Sequence, residues 1–172
     1  MPLWKDGRFV EDAWAVVADD APLPDGIPAI VSLKRWRDEH AVLATRNAPV
    51  GLLIGPASDW SDIAGDLHRF PVIAVEIPKY ADGRAFSIAR LLREREGYKG
   101  EIRAIGVYIV DQVPFMLRVG IDAFVAEDPA LVRALRSGVL PEVTNYLQPA
   151  SDSRAEMPAG KRPWARKLGG AD

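Results

Sequence analysis

Cysteine is absent from the chain, and that one absence removes disulfides, thiolate nucleophiles, cysteine-ligated zinc and cysteine-held iron–sulfur clusters together. Histidine is nearly as scarce. His40 and His68 are the two, each set in an amphipathic helical pattern and too far apart for a helical metal pair, so no metal site is expected. Excess charge of one sign is missing as well: 22 basic residues face 24 acidic ones, a net charge of -2. No global field therefore favours nucleic acid or an anionic membrane. No apolar run approaches the ~20 residues that span a bilayer, and Lys5 and Asp6 introduce charge before a leader could begin. A cytoplasmic protein with neither nucleic acid nor membrane as partner is expected. A Gly-x-Gly-x-x-Gly turn after a strand and a Gly-Lys-Ser/Thr loop are also lacking, so no dinucleotide or other cofactor is expected.

What remains is a chain of 172 residues, 48% of them hydrophobic, enough for one packed core and too little for two. An Asp-Gly pair between the short apolar stretches Leu3-Trp4 and Phe9-Val10 predicts a small N-terminal β-hairpin within residues 1–18. The proline-rich, acidic stretch from Asp19 to Pro28 is a connector. Residues 29–148 then alternate short apolar runs with amphipathic segments. Ala29-Ile30-Val31 precedes a helix over Leu33–Arg46; Val50–Gly55 precedes a helix over Trp60–Phe70 capped near Ser58-Asp59; Val72–Ile77 precedes a helix over Ala85–Glu96. Glu101–Gly106 leads to a helix capped at Asp111 with Pro114 in its first turn, and Ala123–Ala126 feeds a helix starting near Asp128-Pro129.

Strand and helix in this cadence mean right-handed crossovers, a mainly parallel sheet and an α/β class. Residues 1–148 form a single domain on this reading. After Pro149 the chain has few apolar residues, and a disordered tail over 149–172 is expected. Its Lys161-Arg162-Pro163-Trp164-Ala165-Arg166-Lys167 run reads as a solubilising segment.

Two strands carry a charge in mid-run, Glu76 and Arg103. A doubly wound sheet buries both faces of its central strands, whereas a barrel covers only the outside with helices and tolerates a polar pair within. The pattern leaves two architectures open, an incomplete half of a TIM-type barrel or an open sheet with solvated ends, and it predicts a structural ion pair between Glu76 and Arg103.

In either architecture, loops at the C-terminal ends of parallel strands converge on one rim, where such folds bind ligands. The rim candidates are Lys79, Asp82, Gly83, Arg84 and Ser87 after one strand, and Asp111 and Gln112 after the next. A glycine turn into a helix start, with Lys79 and Arg84 as countercharge and Ser87 as a hydroxyl donor, suits a phosphate, a sulfate-like group or a carboxylate. Ordinary helix chemistry explains part of the same text: Asp82 as cap, Gly83 as turn, Arg84 as a solvated charge. Gln112 has no capping duty on this reading. Catalytic residues are not legible, because no base and nucleophile stand together.

Several runs resemble a bacterial family labelled as oxidoreductases of sulfite reduction. They are Asp82-Gly83-Arg84-Ala85-Phe86-Ser87-Ile88-Ala89-Arg90-Leu91-Leu92-Arg93, Gly97-Tyr98-Lys99-Gly100-Glu101-Ile102-Arg103-Ala104-Ile105-Gly106, Asp111-Gln112 and Gly120-Ile121-Asp122-Ala123-Phe124. The family pattern has an acidic residue directly after the glycine that closes the fourth strand, where this chain reads Gly106-Val107-Tyr108. The resemblance implies a link to assimilatory sulfite and sulfate reduction, with sulfite reductase or another sulfur-assimilation protein as partner. Three functions follow as expectations. The first is an accessory protein that binds such a partner or a small anionic metabolite at the rim. The second is a small partial-barrel enzyme acting on a phosphorylated or sulfonated substrate, with Lys79 or Asp111 in acid–base work. The third is a non-catalytic scaffold or oligomerisation domain.

Overall fold

A computed structural model describes residues 2–138, 140 and 141, and beyond them the backbone of three short strands. The Asp-Gly hairpin forms: β1 (Leu3–Lys5) and β2 (Arg8–Val10) pair antiparallel, and both turn residues, Asp6 and Gly7, take positive φ as a two-residue turn of this hand requires. Next come β3 (Ala15–Val16), β4 (Ala29–Ser32), α1 (Leu33–Asp38), α2 (His40–Leu43) and β5 (Val50–Ile54). β6 (Val72–Ile77), α3 (Arg84–Glu94), β7 (Glu101–Gly106), α4 (Val113–Arg118), β8 (Ala123–Val125) and α5 (Pro129–Ser137) complete the unit. β9 (Asn145–Tyr146), β10 (Glu156–Ala159) and β11 (Arg162–Leu168) pair antiparallel as backbone. The rest of the stretch read as a disordered tail lies outside the described residues.

Three elements differ from the sequence reading. The helix over Leu33–Arg46 breaks at Glu39. There Arg35, itself buried, draws the Glu39 carboxylate with Nε and fastens Nη1 to the carbonyls of Ala18 and Ala21 in the connector. Between β5 and β6 the return is a 3-10 helix over Ser61–Arg69, started by Asp59, which accepts from the Ser61 N–H. The greater rise of that helix lets nine residues cover about 18 Å, close to a strand's length, where an α-helix covers about 13.5 Å. A 3-10 turn at Val110–Gln112 precedes α4, which places Pro114 in the first turn of α4.

The main sheet has eight strands in the order β2-β1-β8-β7-β6-β5-β4-β3, and β3 to β8 run parallel in sequence order. Its curl follows from one short connection. β2 and β3 are opposite edges, separated across the sheet by about 34 Å of strand spacing, yet the link from Val10 to Ala15 reaches about 18 Å fully extended. Only a strongly curled sheet brings the edges that close, so the fold is a half-barrel. Helices cover its outer face, where Leu52, Ile54, Ile73, Val75, Ile77, Ile102 and Phe124 pack under Trp36, Leu67, Ile88, Leu92 and Met116.

The inner face carries Ile30, Val72 and Ala74 in one cluster and Leu3, Ala123 and Val125 in another, with Ile105 touching both. Arg103 sits between them, level with Ala74 and Ala123 and 1% exposed. A buried guanidinium is tolerable only when paired and hydrogen-bonded. Asp12, on the strap that joins the two edges, accepts from Nη1 at 2.9 and 3.0 Å, and Glu101 accepts from Nε at 2.9 Å. Lys5 then holds Glu101 at 2.8 Å. The partner expected for Arg103 was Glu76; the register instead sets Glu76 opposite Ile105, one row nearer the rim and exposed, while Arg103 turns the other way.

Much of the family-like text proves architectural. Arg93 on α3 donates Nε to the Gly120 carbonyl and Nη1 to the carbonyls of Tyr98 and Gly100, and its Nη2 meets Asp122, which also accepts from the Ile102 N–H. Gly120 has φ 95°, and a Cβ there would lie 2.4 Å from Arg93 Cγ. Tyr98 donates its hydroxyl to the Phe70 carbonyl at 2.7 Å, and burial pushes that phenol above its ordinary pKa. Arg93, Tyr98, Gly100, Gly120 and Asp122 thus knit α3 to the strand starts, opposite the rim.

Candidate functional site

At the C-terminal ends of β6 and β7 the chain turns through Pro78–Gly83 and Val107–Ile109. The Val107 N–H still reaches the Ile77 carbonyl at 2.7 Å, and this close approach needs Gly106, whose φ is 115° and whose Cβ would fall 2.2 Å from the Ile77 oxygen. The two loops are stitched by one side chain. Gln112 accepts from the Ile109 N–H at 3.2 Å and donates Nε2 to the Tyr80 carbonyl at 2.8 Å. Its capping duty, unseen in the sequence, engages both ends of the amide.

Lys79, Asp82, Gly83, Arg84 and Ser87 run continuously from this loop into α3, and Asp111 adjoins Gln112, so the rim candidates occupy neighbouring loops. Gly83 is the N-cap by backbone geometry; its φ of -81° makes no demand that only glycine meets. Asp82 takes over part of the capping role by accepting from the Arg84 N–H. The same carboxylate receives Arg84 Nε at 2.9 Å and Nη2 at 2.7 Å. That fork holds the Asp82 carboxyl down at about 2 and raises the Arg84 guanidinium. The two charges answer each other. Lys79, Ser87 and Asp111 are exposed.

Glu76 closes the inner wall at this end of β6. A Cβ on Gly55 would lie 3.2 Å from its Oε2 and 3.5 Å from Ser58 Oγ, which places the carboxylate and the hydroxyl around one glycine gap. Among the described residues Glu76 has no ion-pair partner, and no three His, Asp or Glu side chains gather to hold a metal ion.

The feature that the sequence reading passed over is apolar. Tyr80, Val107 and Ile109 stand 62%, 55% and 46% exposed on the two stitched loops. The signal was present in Gly106-Val107-Tyr108-Ile109-Val110: a strand that ends at a glycine and continues as alternating apolar residues faces them to the core and to solvent in turn. Tyr108 takes the inward place, with its hydroxyl on the Val125 carbonyl at 2.7 Å. Gln112 thus holds Tyr80 and Ile109, two of these exposed apolar residues, on backbone that is tied together.

Among the described residues no helix is long and apolar enough to cross a membrane. No curated protein and no solved structure matches the chain. A family described as bacterial protein of unknown function, DUF934, matches residues 51–157, from β5 into the strands that follow α5. With more than half of its length inside that match, the chain belongs to the DUF934 family.

Proposed function

We propose that this half-barrel is an accessory domain of assimilatory sulfite reduction that docks sulfite reductase or another sulfur-assimilation protein through its C-terminal rim. The observation that carries the docking is the exposure of Tyr80, Val107 and Ile109 on loops tied by Gln112. A tied loop loses little entropy on binding, so its apolar area converts efficiently into affinity. The sulfur assignment rests on the resemblance of the runs around Arg93, Tyr98 and Asp122. The fork between Asp82 and Arg84 supports a protein contact over an anion clamp at this point, because a guanidinium already held by a carboxylate offers a second anion little net charge.

The test is co-purification from native extract of a sulfate-grown strain, beside growth of a deletion strain on sulfate. Sulfite reductase is expected with the wild-type chain. Replacing Tyr80, Val107 and Ile109 together by Ser should leave the denaturant melt within about 0.5 kcal/mol per site while removing the partner. Normal growth of the deletion strain on sulfate overturns the reading.

One observation favours a second reading, a partial-barrel enzyme. Glu76 lies at the C-terminal end of a central parallel strand on the inner wall, where barrel enzymes place reacting groups. On this reading Glu76→Gln abolishes complementation and the triple Ser variant does not.

A further inference from the structure

The chain contains three Asp-Gly pairs, Asp6-Gly7, Asp25-Gly26 and Asp82-Gly83. Each sets a carboxyl beside a main-chain nitrogen that no Cβ shields, and attack by that nitrogen on the carboxyl carbon closes a five-membered ring. The sequence makes the three pairs alike; the fold does not.

Asp82 is held by its side chain. Its carboxylate accepts from the Arg84 N–H at 3.2 Å and from Arg84 Nε and Nη2 at 2.9 and 2.7 Å. Ring closure needs the carboxyl carbon turned toward the Gly83 nitrogen and a neutral carboxyl that can lose water. The fork opposes both, keeping the group ionised down to about 2. Asp6 is held by its backbone instead. With φ of 51° and 77°, Asp6 and Gly7 make the turn between Lys5 and Arg8, which pair across the hairpin. An imide ring fixes the aspartyl ψ, so closure there requires the turn to open first.

Asp25-Gly26 has neither restraint. Both residues are exposed in the connector before β4, and among the described residues neither the Asp25 carboxylate nor the Gly26 N–H has a hydrogen-bond partner. A Cβ built on Gly26 would meet nothing within 4 Å, so the space around the nitrogen is open. Arg46 grips the chain on either side, at the Pro24 carbonyl and, at 2.9 Å, at the Ile27 carbonyl. Those carbonyls belong to peptide planes outside the pair, which leaves the plane between Asp25 and Gly26 free to rotate.

We propose that Asp25 is a site of spontaneous covalent modification, isomerising to isoaspartate in the folded chain ahead of Asp6 and Asp82. The Gly26 nitrogen bonds to Asp25 Cγ, and its proton leaves with the carboxyl hydroxyl as water, giving a cyclic imide. Water then adds to an imide carbonyl. Where it breaks the bond between the nitrogen and the Asp25 main-chain carbonyl carbon, the chain afterwards runs through Asp25 Cβ and Cγ. One water leaves and one enters, so the mass is unchanged and no oxidant or reductant takes part. The rerouted chain carries an added methylene between the two carbonyls that Arg46 holds, and Arg46 must release at least one of them. The site is separate from the docking rim and stands whether or not that rim binds a partner.

The experiment incubates the full chain at neutral pH below its melting temperature and, in parallel, unfolded in urea. Trypsin places each pair in a different peptide, by cleavage after Lys5, Arg8, Lys34, Lys79 and Arg84. Electron-transfer fragmentation then tells the isoaspartyl linkage from the parent of equal mass and assigns its position. In the folded chain Asp25 should convert at least roughly tenfold faster than Asp82, whose charged hydrogen bonds must break before attack, and faster than Asp6; in urea the three rates should converge. Asp25→Glu, whose longer side chain would need a six-membered ring, should abolish conversion at that position and leave Asp6 and Asp82 as they were. Conversion at Asp25 no faster than at Asp6 or Asp82 in the folded chain overturns the proposal, as does a ranking that persists in urea. The isomerised fraction, isolated by chromatography, should melt below the parent, and coincident melts would overturn the release of Arg46.

Discussion

Replacing Asp12 by Ala tests the strap that the half-barrel depends on. In the wild type the strap's carboxylate accepts from Arg103 with both oxygens and from the Trp14 N–H with one, and the two side chains are 3% and 2% exposed. Asp12→Ala leaves the guanidinium buried with Glu101 as its one carboxylate, which Lys5 already shares. Removing one member of a buried pair costs roughly 3–5 kcal/mol, and the surviving Glu101 contact places this case at the low end, about 3 kcal/mol. For a domain of this size that is a fall of about 6–12 °C in Tm. The assay is a urea melt of wild type, Asp12→Ala, Arg103→Met and the double variant. In the double variant the uncompensated charge is gone, so its loss should be smaller than the sum of the two single losses by at least about 1 kcal/mol. A loss under about 1 kcal/mol in Asp12→Ala, or additive losses in the cycle, would refute the strap as the partner that makes Arg103 tolerable.

Two further outcomes follow. Gly120→Ala should cost about 2 kcal/mol or more, because its added Cβ meets Arg93 Cγ at 2.4 Å in a positive-φ backbone; Gly26→Ala, at φ 68° with nothing within 4 Å, should cost about 1 kcal/mol. Parallel urea melts compare them, and equal losses would count against the Arg93 clamp. The Asp82 carboxyl should titrate at about 2 by carbon NMR, and Arg84→Ala should return it toward the ordinary carboxylate range. Because the folded-state value is the lower one, the stability this pair contributes is complete above the unfolded value near 4 and fades as pH falls toward about 2; a midpoint unmoved in Arg84→Ala would dismiss the fork.

Local order was legible in the residues wherever one segment decides its own state. Asp6-Gly7 fixes a hairpin turn, Pro129 behind Asp128 starts a helix, and apolar runs such as Val72–Ile77 become strands because both their faces are covered along most of their length. The parallel class followed from their cadence. The rim was legible too, since strand direction alone sends the loops after β6 and β7 to one end. What those loops carry was not: Asp82 and Arg84 cancel each other and Gln112 serves the backbone, because the dihedrals of one turn decide which donors remain free.

Charge pairing was the other matter that sequence order could not reach. Arg103 and Asp12 lie 91 positions apart, and they meet because a short link must join the two edges of an eight-stranded sheet. Residue spacing determined which segments are strands and helices, since φ, ψ and hydrophobic period act within a few residues. The tertiary structure alone decided the curl and the lock on Arg103, since each depends on the closing of distances that local preferences leave undetermined.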